Sequence, residues 1–279
     1  MKIHLSKINN QIVKPVPLIG GGDDRPIRGA DLFSEIYCNI FICAKKKSGK
    51  TSTIFKIIKE CADKNTKIVA FVSTLNKDPI YKTLQYYCDK KNITFEGFTS
   101  LYEDGHDVLS AIIKQLEEEE YEDDDETSED EPVYRQIGAR FHDDIDDEQR
   151  KKMKPKKPKY RSPEYIFLFD DLSTELKNRS LVSLLKKNRH FRCKCIISSQ
   201  YLNDLLPESR KQMDYTLLFK GLPDHKLQEV YRDSDISIDF PMFEKVYKFA
   251  TQKPYSFLYI DIRNDKFRIN FNTEIVIDD

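Results

Sequence analysis

Two stretches of polar side chains each follow a short apolar run, and their residue types suit the binding of a polyphosphate. In the first, the apolar run 40–43 is followed by an octet composed of Ala44, Lys45, Lys46, Lys47, Ser48, Gly49, Lys50 and Thr51. Phosphate is bound where a strand ends, the turn after it has unpaired N–H groups, and the N-terminus of the next helix points at the same spot. The pattern therefore predicts a phosphate-binding loop over 44–51 that continues into Ser52.

The last three residues of the octet have distinct chemical roles in this prediction. Gly49 lets the backbone approach a phosphate without a Cβ. Lys50 reaches the β- and γ-phosphates, and the Thr51 hydroxyl can ligate Mg²⁺. Ala44 stands where the usual pattern often has glycine. The alternative is a solvated basic turn over 46–50, but the strand before it and the helical pattern after it favour the phosphate site.

The second stretch is an apolar strand that ends in two carboxylates, Asp170 and Asp171. Asp170 is expected to hold Mg²⁺ through its water shell, opposite Thr51. Asp171 is expected to orient or deprotonate the water that attacks the γ-phosphate. The alternative is a strand end at which Asp171 or Ser173 caps the next helix. The upstream phosphate loop favours the catalytic interpretation.

Two further candidates lie downstream. Gln200 ends the next predicted strand, where its amide can sense the γ-phosphate or hold the lytic water, although a plain turn residue is the alternative. The basic segment 186–192 offers a cation for the transferred phosphate, which an arginine from a neighbouring subunit often supplies. Arg189 is the first candidate, followed by Arg179 and Arg210; the alternative for Arg189 is a cation that stabilises a helix C-terminus.

Alternating strands and helices must position these residues. Near-continuous apolar runs are typical of buried parallel strands, and the helices show apolar residues at helical spacing. The predicted strands are 37–43, 67–73, 94–98, 165–169, 194–198 and 215–219, with a closing hairpin at 256–262 and 266–271. The predicted helices are 52–64, 78–90, 106–117, 174–188, 207–213, 224–232 and 241–250. The pattern predicts an α/β fold with a mostly parallel central sheet flanked by helices, plus a C-terminal β-hairpin.

The 279 residues are predicted to form an N-terminal arm, 1–35, and one domain, 36–279. A charged insertion at 118–162 interrupts the domain, acidic at its start and basic at its end. It has too little apolar content to pack and is predicted to be disordered. The basic part could contact nucleic-acid phosphates or pair with the acidic part.

Cysteine usage and hydropathy indicate where the protein works. Six cysteines without a C-x-x-C pair predict buried, reduced thiols rather than disulfides or a zinc site. The N-terminus lacks the apolar core of a signal peptide, and no apolar run approaches the roughly 20 residues that span a bilayer. The sequence therefore predicts a soluble, intracellular protein.

The phosphate loop, the strand end at Asp170 and Asp171, and the stretch 195–200 together resemble the FtsK–HerA group of P-loop ATPases. Within that group the chain is most similar to the poxvirus-type genome-packaging ATPases of large DNA viruses and virophages, notably at 170–173, 188–190, 199–205 and 207–210. The resemblance covers about 36–116 and 164–272. Asp171 stands where cellular relatives commonly carry glutamate.

The resemblance implies a RecA/ASCE-like P-loop NTPase fold and a ring-forming motor that uses ATP and Mg²⁺ to drive double-stranded DNA into a capsid. Implied partners are DNA bound without sequence preference, further copies of the chain, and capsid portal or vertex proteins, in the virion or the infected-cell cytoplasm. By position, the resemblance assigns phosphate and metal binding to Lys50 and Thr51, metal binding to Asp170, the catalytic acid to Asp171, the sensor to Gln200 and the trans-acting arginine to Arg189.

Two other classes of protein remain open at this point. A phosphotransferase of the nucleoside kinase type would use the same phosphate loop but needs an acceptor pocket. A nucleotide-gated scaffold would bind ATP and turn over little. Gln200 argues against the first class and Asp171 against the second.

Overall fold

The computed structural model of the chain describes residues 23–125 and 159–277. Residues 1–22 and 126–158 lie outside these ranges, and so do the predictions made for most of the N-terminal arm and most of the charged insertion.

A nine-stranded sheet forms the centre of the described protein. Its strands, in chain order, are β1 (Asn39–Cys43), β2 (Lys67–Val72), β3 (Thr94–Phe98), β6 (Tyr165–Asp170), β7 (Cys193–Ser199), β8 (Tyr215–Phe219), β9 (Phe257–Asp261), β10 (Lys266–Ile269) and β11 (Thr273–Ile275); the short strands β4 (Tyr102–Glu103) and β5 (His106–Asp107) form a separate pair. Across the sheet the order is β11-β10-β9-β8-β1-β7-β6-β2-β3.

The sheet is parallel over six strands and antiparallel at one end. From β8 to β3 every neighbouring pair is parallel, whereas β9, β10 and β11 pair antiparallel. The predicted mostly parallel sheet and C-terminal hairpin are therefore confirmed, and β11 adds a third strand to the hairpin that was not predicted.

Helices cover both faces of the sheet. They are α1 (Lys50–Cys61), α2 (Pro79–Lys91), α3 (Val108–Asp125), α4 (Arg179–Lys186), α5 (Pro207–Arg210), α6 (Asp224–Asp233) and α7 (Phe240–Ala250). Buried side chains of α1 and α2 pack on one face, and those of α3, α4, α6 and α7 pack on the other. The three layers are the arrangement expected for an α/β fold with parallel strands, and they are consistent with a P-loop NTPase fold.

The alternation of side chains along a strand determines on which face of the sheet the last residue of that strand lies. Phe167 and Phe169 of β6 contribute to the core beneath α3 and α4, and Ile166 and Leu168 to the core beneath α1 and α2. Since side chains alternate along a strand, Asp170 at the end of β6 lies on the α1 and α2 face.

Two predicted helix boundaries were wrong. The single helix predicted for 174–188 is a 3-10 turn (Ser173–Lys177) followed by α4, because Asn178 adopts an extended backbone and caps α4 by accepting a 2.6 Å hydrogen bond from the Ser180 amide. Helix α3 ends at Asp125 rather than near Glu117, so the first residues of the predicted insertion continue a helix.

Residues near the end of the predicted N-terminal arm lie in the core. Leu32 and Phe33 are buried, the Phe33 ring lies 4.9 Å from the Tyr215 ring, and the Tyr259 hydroxyl donates to the Leu32 carbonyl at 2.9 Å. Residues just before the parallel sheet thus contribute to the same fold as the sheet itself.

All six cysteines are buried thiols, as predicted. Cys193 and Cys195 lie on the same side of β7 with their sulfur atoms 3.8 Å apart. Among the helices of residues 23–125 and 159–277, none is long and apolar enough to cross a membrane.

Candidate active site

The candidate residues meet at one edge of the sheet because three parallel strands end there. β7 lies between β1 and β6, and Cys43 is in register with Ser199 just as Asp170 is with Ser198. The loop after β1, Gln200 after β7 and the carboxylates of β6 are therefore neighbours. One strand, β7, therefore separates the two motif strands.

The phosphate loop has the backbone that an anion site needs. Gly49 has φ +95°, a value that glycine adopts readily. It precedes α1 directly, makes no side-chain capping hydrogen bond, and no acidic residue lies in the first turn. The first N–H groups of α1 thus face the loop together with the positive end of the helix dipole.

Ala44 and the three lysines after it complete the loop. Ala44 is buried, and its amide donates to the Ser199 carbonyl at 3.1 Å. It is not one of the residues with positive φ, so its Cβ brings no strain where the usual pattern has glycine. The side chains of Lys45, Lys46 and Lys47 are exposed.

Lys50 joins the two motifs. Its Nζ lies 2.8 Å from Oδ1 of Asp170 and 3.3 Å from Oδ1 of Asp171. The Lys50 side chain is 12% exposed and that of Asp170 only 3%. Burial by itself lowers the pKa of Lys50, but Asp170 and Asp171 outweigh it and the pKa is raised above the ordinary 10.5. Lys50 is therefore a positive charge held between two carboxylates 120 and more residues away in the chain.

Tyr81 is a site residue that the sequence analysis missed. Its hydroxyl donates a 2.6 Å hydrogen bond to Oδ2 of Asp170, and both side chains are buried. Burial raises the pKa of Tyr81, and the charge and hydrogen bond of Asp170 raise it further, so the phenol stays protonated and acts as a donor. The available signal was a tyrosine on the apolar face of α2, in line with Leu84 and Cys88, since a buried tyrosine hydroxyl needs a partner.

Asp171 has an unusual backbone. Its φ of 58° lies in the left-handed region, which non-glycine residues adopt uncommonly, although Asp and Asn do so more often than most. Its carbonyl accepts a 2.8 Å hydrogen bond from the Ser73 hydroxyl and its amide contacts the Ser198 carbonyl at 3.4 Å. Its side chain is 33% exposed beside Lys50, so the carboxylate faces the open side of the site.

The capping alternative for this strand end is wrong. The 3-10 turn that follows β6 has Leu172 at its N-cap with no side-chain hydrogen bond, and Asn178 caps α4. Neither Asp171 nor Ser173 caps a helix, so the carboxylate of Asp171 is not committed to the backbone.

Gln200 lies at the carboxyl end of β7, and its role as a sensor stays a prediction. It follows β7 directly, is half-buried, and its carbonyl accepts a weak hydrogen bond from the Cys43 thiol at 3.6 Å. Its position between the ends of β1 and β6 places it beside both motifs.

The three candidate arginines lie in different places. Arg189 is exposed and precedes β7, at the opposite edge of the sheet, where it lines a small cavity with Asn39 and Asp214. Because β7 has seven residues at about 3.3 Å each, Arg189 is roughly 20 Å from the phosphate loop of its own chain. Arg210 pairs with Asp233 at 2.6 Å and is 16% exposed, whereas Arg179 is exposed at the start of α4.

The residues present fit a magnesium ion. Thr51 supplies a hydroxyl from the first turn of α1, and Asp170 supplies a carboxylate from β6. Hard oxygen donors of this kind bind Mg²⁺ together with phosphate oxygens and waters. Such a site needs few carboxylates, and the described residues contain no cluster of three or more His, Cys, Asp or Glu side chains that could hold an ion alone.

Comparison with known proteins adds one sequence relative. No protein family model matches the chain. Uncharacterized protein 075L of Invertebrate iridescent virus 6 is 29% identical over 131 residues, which is 43% of this chain. The match spans 50% of the length of that relative.

The structural neighbours are viral genome-packaging ATPases. B204, the DNA-packaging ATPase of Sulfolobus turreted icosahedral virus, has a TM-score of 0.49 and 17% identity over 84% of this chain and 96% of its own. The packaging NTPase B204 of Sulfolobus turreted icosahedral virus 2, solved with ATPγS, has a TM-score of 0.47 and 16% identity over 85% of this chain and 97% of its own. At these values the likeness decides neither the substrate nor the activity of this chain.

Proposed function

We propose that this protein is an ATP-hydrolysing motor that translocates double-stranded DNA, with viral genome packaging as its role. The observation that carries the proposal is the convergence of the two motifs on Lys50, whose Nζ is 2.8 Å from Asp170 and 3.3 Å from Asp171. A lysine at a helix N-terminus, a metal-binding carboxylate and a second carboxylate are the parts that nucleoside triphosphate hydrolysis requires.

Different residues of the chain have different roles in ATP hydrolysis. The first N–H groups of α1 and the residues 44–52 hold the phosphates, and Lys50 exchanges its carboxylate partners for phosphate oxygens. Thr51 and Asp170 would hold Mg²⁺, which supplies charge neutralisation at the β- and γ-phosphates. Tyr81 keeps Asp170 oriented throughout.

Asp171 and Gln200 act on the water. Asp171 accepts a hydrogen bond or a proton from the attacking water, since its carboxylate is half-exposed beside Lys50 and not engaged in a helix cap. Gln200 orients that water or reads the γ-phosphate from the end of β7. Asp171 then accepts the proton that the water loses, and the cations of the site stabilise the negative charge that develops in the transition state.

The position of Arg189 supports an oligomer. At the far edge of the sheet it is out of reach of its own phosphate loop, so in this proposal it completes the site of a neighbouring copy. An arginine supplied in this way is worth roughly 10³–10⁵ in rate. A ring of such copies grips DNA phosphates through lysine and arginine side chains without reading bases.

The decisive experiment is the rate of ATP hydrolysis with and without duplex DNA. DNA stimulates phosphate release by the wild-type protein in this proposal, and equal rates with and without DNA contradict the motor. Lys50→Ala abolishes hydrolysis, whereas Lys56→Ala, which removes an exposed lysine paired with Glu60 on the same helix, retains it. ADP formation that requires an added acceptor and yields no free phosphate would instead indicate a phosphotransferase, and nucleotide binding with little turnover would indicate a scaffold.

A further inference from the structure

A tight turn over 253–256 holds an aromatic ring at the edge of the phosphate loop. Pro254 is followed by Tyr255 with φ +63°, and the Ser256 amide donates back to the Lys253 carbonyl at 3.3 Å. Proline followed by a residue of positive φ is the pattern of a type II turn, in which glycine or asparagine is the usual second central residue. The Ser256 hydroxyl donates to the same carbonyl at 2.7 Å and secures the turn.

Tyrosine is a costly choice for this position. A bulky residue with positive φ is a backbone outlier, and such outliers cluster at active sites and ligand clamps. The Tyr255 side chain recovers little of that cost by burial, because Tyr255 is 71% exposed. Its place in the turn is therefore not explained by core packing.

The ring lies directly against the phosphate loop. A Cβ added to Gly49 would be 3.3 Å from Cδ1 of Tyr255. Gly49 is the residue immediately before Lys50 and the first turn of α1, so the ring is next to the place where a polyphosphate binds. One face of the loop thus carries an exposed, flat, apolar surface.

The loop after β8 also lies beside the phosphate loop. Lys45 of the phosphate loop lies over Gly221, whose added Cβ would be 3.4 Å from the lysine Nζ. Lys220 donates from Nζ to the Gln252 carbonyl at 3.3 Å, which links this loop to the turn that carries Tyr255. The two loops and the phosphate loop therefore form one continuous rim.

We propose that the Tyr255 ring stacks on the base of the bound nucleotide. This inference rests on the proposed function and extends it to the part of the nucleotide that the phosphate loop does not hold. With the phosphates at α1, the base leaves the loop along its rim, where Tyr255 offers a π-face. Stacking on an aromatic ring does not by itself distinguish one base from another, because every base has a π-face.

The test compares a ligand that has a base with one that has none. Affinities of ATPγS and of inorganic tripolyphosphate, both with Mg²⁺, are measured by calorimetry for the wild-type protein, Tyr255→Phe and Tyr255→Ala. Base stacking is worth about 1–3 kcal/mol by alanine substitution, so Tyr255→Ala weakens ATPγS binding by roughly 5- to 150-fold and leaves tripolyphosphate binding unchanged. Tyr255→Phe keeps the ring and keeps both affinities.

Controls separate this inference from the proposed function. Lys50→Ala weakens both ligands, and Tyr86→Ala, which removes another exposed tyrosine, weakens neither. If Tyr255→Ala weakens the binding of both ligands equally, the ring supports the structure of the loop. If the variant binds ATPγS more tightly, the ring covers the site. Either result overturns the inference and leaves phosphate binding by the loop intact. A wild-type protein that binds neither ligand overturns the proposed function itself.

Discussion

The hydroxyl of Tyr81 and the carboxylate of Asp170 are joined by a 2.6 Å hydrogen bond, although 89 residues separate them in the chain. Lys50 approaches the other oxygen of the same carboxylate at 2.8 Å. A buried carboxylate with a neutral donor on one side and a cation on the other is fixed in orientation before any ligand binds.

Tyr81→Phe removes that neutral donor and keeps the ring. We expect the apparent affinity for Mg²⁺ in ATP hydrolysis to fall by about 10- to 100-fold, the usual effect of losing a group that orients a metal ligand. The free energy of unfolding should also fall by about 1–3 kcal/mol, because Asp170 loses a buried hydrogen bond. Tyr86→Phe on the same helix, at 68% exposure, is the matched control, and an unchanged magnesium titration for Tyr81→Phe would refute the orienting role.

Asp171→Asn tests Asp171 as the general base without disturbing the backbone. Asparagine tolerates the left-handed conformation that Asp171 adopts at φ 58°, so the fold should be retained. Loss of a general base typically lowers the rate by about 10²–10⁴-fold. We expect kcat to fall in that range while binding of MgATPγS persists; a variant that hydrolyses ATP at the wild-type rate would exclude Asp171 as the base.

Mixing two inactive variants tests whether Arg189 acts in a neighbouring subunit. Lys50→Ala retains Arg189, and Arg189→Ala retains the phosphate loop, so a mixed ring contains sites in which both parts are intact. We expect each variant alone to be inactive and the mixture to regain hydrolysis in proportion to its mixed interfaces. Lys186→Ala, which removes another exposed cation near the same edge, should be active alone; a mixture that stays inactive would count against a shared site.

Asp214, which lies away from the phosphate loop, makes the stability of the fold depend on pH. Burial raises its pKa above the ordinary 3.8, although a hydrogen bond from the Asn39 amide and the charge of Arg189 oppose the shift. A folded-state pKa above the unfolded value means that the contribution of Asp214 to stability is present below pH 3.8 and is lost as the pH rises through the folded-state pKa.

Asp214→Asn keeps an oxygen that can accept the 2.8 Å hydrogen bond from Asn39 and removes the buried charge. Relative to the wild type, the variant should therefore become more stable as the pH rises from below 3.8 towards neutral, and the difference should then level off. Denaturant unfolding across that range measures the difference, with Asp31→Asn as a control for loss of an exposed charge. A difference that is constant with pH would contradict the raised pKa.

Local sequence patterns were sufficient for most of the sheet and for the loop that joins β1 to α1. β3 and β8 have the predicted bounds, although β8 is fully buried and β3 is a mixed, partly exposed strand. Asp78 caps α2 by accepting a hydrogen bond from the Ile80 amide at 2.9 Å, and Pro79 is the first residue of the helix. One error came where a polar side chain interrupts a helical pattern, as Asn178 does between the 3-10 turn and α4. The other came where α3 continues through acidic residues as far as Asp125.

The residues with chemistry were predicted by type and spacing, but their neighbours were not. Tyr81 and Tyr255 were missed because each reaches the site from an element that carries no motif. Tyr81 lies in the first turn of α2. Tyr255 lies in a turn more than 200 residues after Gly49. Nothing in the spacing of those tyrosines along the chain indicates proximity to a phosphate loop.

The sequence by itself determined which side chains are available for phosphate and metal chemistry, since a loop that opens a helix and a strand that ends in carboxylates are local properties of the chain. Tertiary structure alone decided that β7 separates the two motif strands, that Lys50 bridges Asp170 and Asp171, and that Arg189 lies at the far edge. These facts depend on strand order, and strand order follows from the packing of the whole sheet between its two helical layers.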